Sequence, residues 1–371
     1  MITTRSRAFG SPFRYIQGPD ELDHLAAHAA PYGRRIFLLL DPVLLDDPDL
    51  KLEARLAGLD PTLARFSGEC TEAEVARVEA LAKDHRADII AGLGGGKTLD
   101  TAKMAAARLG TALFIIPSSA STDAPTSAMS VLYTEEGAHL RSVLHQRGAD
   151  LVLVDSRLIA RAPLRLFVAG LGDALSTWFE ARANARSDTA NYIGSGYRRC
   201  QAGLALARHC YEILLADGLR AKLALASGAV TEAVENVIEA NILLSGLGFE
   251  NAGCAAAHAL PTGLHEIPAL NRFYHGELVA FGVVFQLVLE NAPQAELTEV
   301  LDFLTEVDLP VSLGQLGLEP TPANFQVITR RVLDGRSGME AEPFLVTEDL
   351  VIAALLAADA LGRRHLEIQA R

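Results

Sequence analysis

The periodicity of this chain changes once, near Pro163, and that change restricts the fold more than any other feature. Ahead of it, short β-like runs alternate with helical ones. Strands are expected at 35–40, 88–93, 111–116, 129–133 and 150–154, and helices at 20–30, 71–86 and 97–109. Strands alternating with helices argue for a parallel sheet covered on both faces. Beyond Pro163, the stretches 173–185, 197–216, 231–249, 276–291 and 347–361 are rich in Ala and Leu at helical spacing, with hardly any β-branched alternation. The expectation is therefore an α/β domain at 1–160 followed by an all-α domain at 161–371. A chain of 371 residues also exceeds what one hydrophobic core usually holds. No Gly/Ser-rich linker marks the join, so the two domains are expected to pack firmly with a cleft between them. There is no internal repeat.

Within the first part, Gly92-Leu93-Gly94-Gly95-Gly96-Lys97-Thr98-Leu99-Asp100 follows the apolar run ending at Ala91. A strand that delivers glycines onto a helix N-terminus makes a cradle for a phosphate, because backbone amides and the helix dipole both favour an anion there. Lys97 and Lys103 are two of only five lysines in the chain. The loop is not a Walker motif, since Ala91 stands where the opening glycine belongs, nor does it keep the Gly-x-Gly-x-x-Gly spacing of the dinucleotide fingerprint. The acidic candidate comes earlier instead, as Asp41 at the end of the 35–40 strand. A βα turn that merely needs glycine is the alternative reading.

Bulk properties narrow the partners. A net charge of −13 gives no attraction to nucleic acid or an anionic membrane. No apolar stretch is long enough to span a bilayer. Met1-Ile2-Thr3-Thr4-Arg5 opens the chain without the apolar core of a secretory signal. Cys70, Cys200, Cys210 and Cys254 show no metal-type spacing and read as small buried side chains. A cytoplasmic enzyme is the expectation.

Three polar residues interrupt apolar surroundings in the helical half. Asp173 follows Gly172 and opens the expected 173–185 helix, where an N-cap role competes with a chemical one. His258 lies in an alanine-rich run, where a satisfied core histidine is the alternative. His275 precedes Gly276-Glu277 at a helix start. One carboxylate and two imidazoles make three N/O ligands with an open position, as in a catalytic divalent-metal site. Zn²⁺, Fe²⁺ and Ni²⁺ all suit such a set. His265 is a proton relay, a fourth ligand, or simply a surface or supporting residue. The Ser/Thr-rich run 117–127, with Asp123, should line the C-terminal edge of the sheet, or else form only a turn.

Taken in order, these segments resemble the glycerol dehydrogenase family of the metal-dependent alcohol dehydrogenases, related in fold to dehydroquinate synthase. The matching stretches are Gly94–Lys103, Ser121–Pro125 with Ser127–Tyr133, Gly172–Ala181, Glu239–Glu250, Ala255–Ala259 and His275–Gly282. The resemblance implies a Rossmann-like nucleotide-binding domain and a helical metal-binding domain, with catalysis in the cleft. It implies NAD held by Asp41, Gly94, Gly95, Gly96, Lys97, Thr98, Leu99, Asp100, Ser118, Ser121, Ser127, Met129 and Tyr133. Asp41 beside the adenosine ribose would repel a 2′-phosphate and so favour NAD over NADP. It further implies a metal, Zn²⁺ or another divalent ion, on Asp173, His258 and His275. Asp123 would contact a polyol hydroxyl, and the enzyme would act as a homo-oligomer on a small polyol or ketone. Leu260-Pro261-Thr262-Gly263 departs from the family's His-Asn pair before the glycine, Ser118 replaces its Thr, and 144–149 lacks its Pro/Asn-rich form. These departures bear on the substrate more than on the reaction. A 2-oxo-acid or hydroxyketone reductase of the same family, a dehydroquinate synthase-like lyase, and a non-catalytic nucleotide-binding scaffold stay open at this point; no lysine follows Lys222 to serve a phosphate leaving group.

Overall fold

A computed structural model describes residues 5–370 except 195 and 336. The expectation about the leader rests partly on residues 1–4, which lie outside the described residues. The chain divides into two compact units. One is Gly10–Pro163; the other joins Leu164–Arg371 with the N-terminal segment ending at Phe9. Ala8 N donates to the Arg198 carbonyl at 3.2 Å and Arg198 N to that of Ser6 at 2.9 Å, which ties that segment to the second unit.

The first unit holds a six-stranded sheet. Its strands are β1 (Tyr15–Gly18), β2 (Arg35–Leu40), β3 (Asp60–Arg65), β4 (Ile89–Gly94), β5 (Ala112–Pro117) and β8 (Leu151–Asp155). All pairings are parallel, in the order β1-β8-β5-β4-β2-β3. β2, β4 and β8 are buried along almost their whole length, as strands covered on both faces must be. From β2 the chain moves outward to β3, then returns to place β4 on the other side of β2. The order reverses between β2 and β4, and open α/β sheets bind ligands at such a switch point.

The expected strand at 129–133 exists as β6 (Met129–Tyr133), but not in this sheet. It pairs antiparallel with β7 (His139–Leu144) in a separate hairpin. Its half-buried alternation is that of an antiparallel strand with one face open, unlike the continuously buried strands of the parallel sheet.

The second unit is helical. Its principal helices are Leu164–Ser187, Gln201–Ala226, Glu232–Glu239, Ser245–Ala252, Ala256–Leu264, His275–Leu289, Gln294–Glu306, Pro322–Val332 and Glu348–Gln369. A π-helical turn at Ala240–Leu244 joins the third and fourth into one continuous run. The His275–Leu289 helix is buried from Gly276 to Leu287, on all sides, and forms the centre of the unit. One expectation is corrected here. Asp173 does not open a helix: the helix begins at Leu164, so Asp173 lies in its interior and is no N-cap. Gly172 marks no boundary there; it serves close packing against Gly276.

Candidate active site

Glycine builds the helical part of the site. A Cβ on Gly172 would stand 2.3 Å from the Gly276 carbonyl oxygen, and one on Gly276 would stand 1.8 Å from that of Ala169. The Leu164–Ser187 and His275–Leu289 helices therefore touch backbone to backbone where Asp173 and His275 project. Gly282 makes a similar approach, its Cβ position lying 2.2 Å from the Ala257 carbonyl, and so seats the helix that carries His258.

This packing brings Asp173, His258 and His275 together, with one donor atom of each within 4.8 Å of the others. Asp173 Oδ1 lies 3.3 Å from His258 Nε2 and 3.5 Å from His275 Nε2. Two ligands about 2.1 Å from one ion at the tetrahedral angle stand about 3.4 Å apart, so the spacing fits one shared ion. No thiolate belongs to this group, which suits a catalytic rather than a closed structural site. Burial opposes a charge on His258, but the Glu180 carboxylate overrides it and holds the ring's proton affinity well above the ordinary histidine value. His275 is pushed down to about 4. Lost hydration outweighs the pull of Asp173, and the neighbouring His258 and His265 add to the depression.

Glu180 is the contact that the sequence reading missed. It lies seven residues after Asp173 on one helix, hence on the same face. That spacing was the available signal. Its Oε2 stands 2.6 Å from His258 Nδ1, while its Oε1 accepts the amides of Ala255 and His258, each at 2.8 Å. His265 ends the Ala256–Leu264 helix, which continues through Pro261, and faces Asn271 Oδ1 at 3.1 Å. It is not one of the clustered donors.

The α/β unit carries the second group. Asp41 ends β2 and Gly95 follows β4, so both sit at the switch point. Asp41 Oδ2 accepts the Gly95 amide at 2.7 Å. A Cβ on Gly94 would come within 2.4 Å of that oxygen, which explains glycine there. Gly95 is the N-cap of the Gly96–Leu109 helix, whose first-turn amides have no acceptor within the helix. Ser118 N donates to the Gly94 carbonyl at 3.0 Å and holds the serine run beside the loop. Ser119 and Ser121 hydroxyls lie 3.1 Å apart, and Ser127 Oγ donates to the Ala124 carbonyl at 3.1 Å. Asp123 is buried. Lys97 pairs with Glu69 and lies over the Tyr133 ring, 4.8 Å from its centroid.

Several residues of this loop turn inward. Thr98, Leu99 and Asp100 are buried, which leaves their backbone as the part that can meet a ligand. Asp100 accepts from Val131 N at 2.9 Å and from Lys103 Nζ at 3.1 Å. Lys103 Nζ also donates to the carbonyls of Ala124 and Met129, at 2.6 and 2.8 Å. Those three acceptors use all its protons. Lys103 is thus a strut between helix and loop, whereas Lys97 pairs with Glu69 and keeps its side chain 43% exposed.

Comparison with known proteins places the chain in a family. Residues 12–156 match the family described as iron-containing alcohol dehydrogenase. A glycerol dehydrogenase of Escherichia coli O6:H1 is 44% identical over 365 residues, covering 97% of this chain and 99% of that protein. A probable glycerol dehydrogenase from Sinorhizobium meliloti 1021 superposes with a TM-score of 0.91 at 46% identity, covering 97% of this chain and 100% of that one. The glycerol dehydrogenase structure from Schizosaccharomyces pombe gives a TM-score of 0.93 at 32% identity, over 99% and 93% of the two chains. The fold and these matches define an oxidoreductase of the alcohol dehydrogenase class. The chain belongs to the glycerol dehydrogenase family within it.

Proposed function

We propose that the protein oxidises glycerol, or a close vicinal diol, to the hydroxyketone, and catalyses the reverse reduction, with NAD and a divalent metal. The observation that carries this reading is the convergence of Asp173, His258 and His275 from three helices at one-ion spacing. A metal on these residues supplies Lewis acidity that eases loss of the alcohol proton, and NAD supplies the hydride acceptor. The donor chemistry accepts Zn²⁺, Fe²⁺ or Ni²⁺, with zinc the ion we propose.

The remaining work falls to the chain's own groups. Gly94, Gly95 and Gly96 let the backbone approach the pyrophosphate, and the first-turn amides and Lys97 neutralise it. Asp41, tied to Gly95, presents a carboxylate where a ribose 2′-hydroxyl is welcome and a 2′-phosphate is repelled. Ser118, Ser121, Ser127, Met129 and Tyr133 complete the dinucleotide surface. Asp123 orients the hydroxyl next to the reacting one and so selects vicinal diols. In this reading Gly10–Pro163, rather than the expected 1–160, is the NAD-binding domain and the unit of Leu164–Arg371 the metal-binding catalytic domain, and the enzyme works as a cytoplasmic homo-oligomer. Among the described residues, no helix is long and apolar enough to cross a membrane.

The test is NADH absorbance with purified protein, zinc and NAD(H) on glycerol, 1,2-propanediol, dihydroxyacetone, hydroxyacetone and 2-oxobutanoate. Turnover of the diols and hydroxyketones is expected. Turnover of 2-oxobutanoate alone would replace the substrate class, and no turnover of any would reopen the lyase and scaffold readings.

A further inference from the structure

His258 has two ring nitrogens, and each faces a group of metal-type donors. Nε2 looks toward Asp173 and His275. Nδ1 looks toward Glu180 with Cys254 nearby, and these three also lie within 4.8 Å of one another. Something must decide which nitrogen is the ligand.

Glu180 is fully buried, and hydrogen-bond donors already occupy both of its oxygens. Oε1 accepts the amides of Ala255 and His258, the N-cap and third residue of the helix bearing His258. Oε2 faces His258 Nδ1 at 2.6 Å and stands 3.3 Å from Ser176 Oγ. An ionised carboxylate can only accept, so a contact this short requires the proton on Nδ1. A neutral imidazole protonated there keeps its lone pair on Nε2, aimed at Asp173 and His275. The amide bonds to Oε1 lock the helix start to the same carboxylate, and the helix dipole favours its charge there.

We propose that Glu180 is a positioning residue that commits His258 to ligation through Nε2, and that the Glu180–Cys254 side of the ring is support rather than a second metal site. This inference rests on the reading of Asp173, His258 and His275 as the metal ligands. Ligating histidines whose other nitrogen meets a carboxylate lose about 10–100-fold in metal affinity when that partner is removed.

Glu180→Gln separates positioning from mere shape. The new side chain keeps the size and one acceptor oxygen for the two amides, but it offers an N–H to Nδ1 and so drives the ring proton onto Nε2. Zinc affinity by chelator competition should fall about 10–100-fold. NAD⁺ affinity, read by calorimetry on the same protein, should stay within about twofold, because the dinucleotide groups lie in the other unit. Asp173→Asn run alongside tests the underlying site. Loss of zinc in Asp173→Asn with unchanged zinc affinity in Glu180→Gln overturns the positioning role alone. Unchanged zinc affinity in Asp173→Asn overturns the site itself. Should Glu180→Gln fail to fold, the tautomer can be read in the zinc-loaded wild type by ¹⁵N-histidine NMR. A proton on His258 Nδ1 is the expected signature, and zinc on Nδ1 overturns the proposal.

Discussion

At the scale of single residues, two carboxylates have different tasks. Asp173 is all but inaccessible, and its oxygen faces two imidazoles, so neutralising it should cost metal and the turnover that depends on it, but not NAD⁺ binding. In Asp173→Asn, bound zinc measured by atomic absorption after dialysis should fall to background, while NAD⁺ still binds. Asp41 belongs to the proposed dinucleotide group instead. Its bond to the Gly95 amide has a charged acceptor, a kind worth about 1.5–3 kcal/mol. Asp41→Ala should weaken NAD⁺ about tenfold or more and shift the NAD-to-NADP ratio of kcat/KM toward NADP, as initial rates with each cofactor will show. Both aspartates, with His258 and His275, were legible in the sequence, because polar groups in apolar runs and after glycines stand out. Glu180 was not, because a glutamate in a helix usually faces solvent and its partner lies 78 positions away. Lys103 misled for a related reason: a lysine beside a glycine loop suggests a phosphate, whereas burial converts it to an internal strut.

At the scale of elements, the helix crossing at Gly172 and Gly276 sets the distance between Asp173 and His275. A methyl at 276 would collide with the Ala169 carbonyl at 1.8 Å, so the helices must part. Overpacking of this kind costs about 1–3 kcal/mol, more than the helix-propensity gain of about 1 kcal/mol from replacing glycine. Gly276→Ala should therefore lower the melting temperature by a few degrees and weaken zinc binding together. A stabilised variant with normal zinc affinity would contradict this view of the crossing. Element type was well announced by periodicity, with β2 falling exactly at 35–40 and β6 exactly at 129–133. Partners were not. β1, β3 and β7 escaped notice because they are short, exposed or polar, and the 5 residues of β6 are too few for their alternation to set it apart from the parallel strands. Asp173 looked like a helix start because Gly172 precedes it, but that glycine serves the crossing with another helix, which local sequence cannot reveal.

For the whole molecule, pH should act through a carboxyl that the helical unit buries. Glu342 is 4% exposed, and burial first, then the nearby Glu290 charge, raises it from 4.5 to about 8. An acid whose folded value is raised favours folding fully below about 4.5, and that contribution is lost as pH rises through 8. Stability measured by denaturant unfolding should decline across that window. Glu342→Gln should flatten the decline and stabilise the protein at pH 8 by an amount on the order of a few kcal/mol; an unchanged slope would mean the carboxyl is already ionised at neutral pH. The central claim is that the three-helix cluster is the metal centre of an NAD-dependent diol dehydrogenase. The most direct measurement strips the protein with a chelator, restores zinc, and follows NADH formation from glycerol in wild type and His275→Ala. Loss on stripping, recovery with zinc in wild type and no recovery in His275→Ala is the result expected. Full turnover by the stripped protein, or by His275→Ala, would contradict the account.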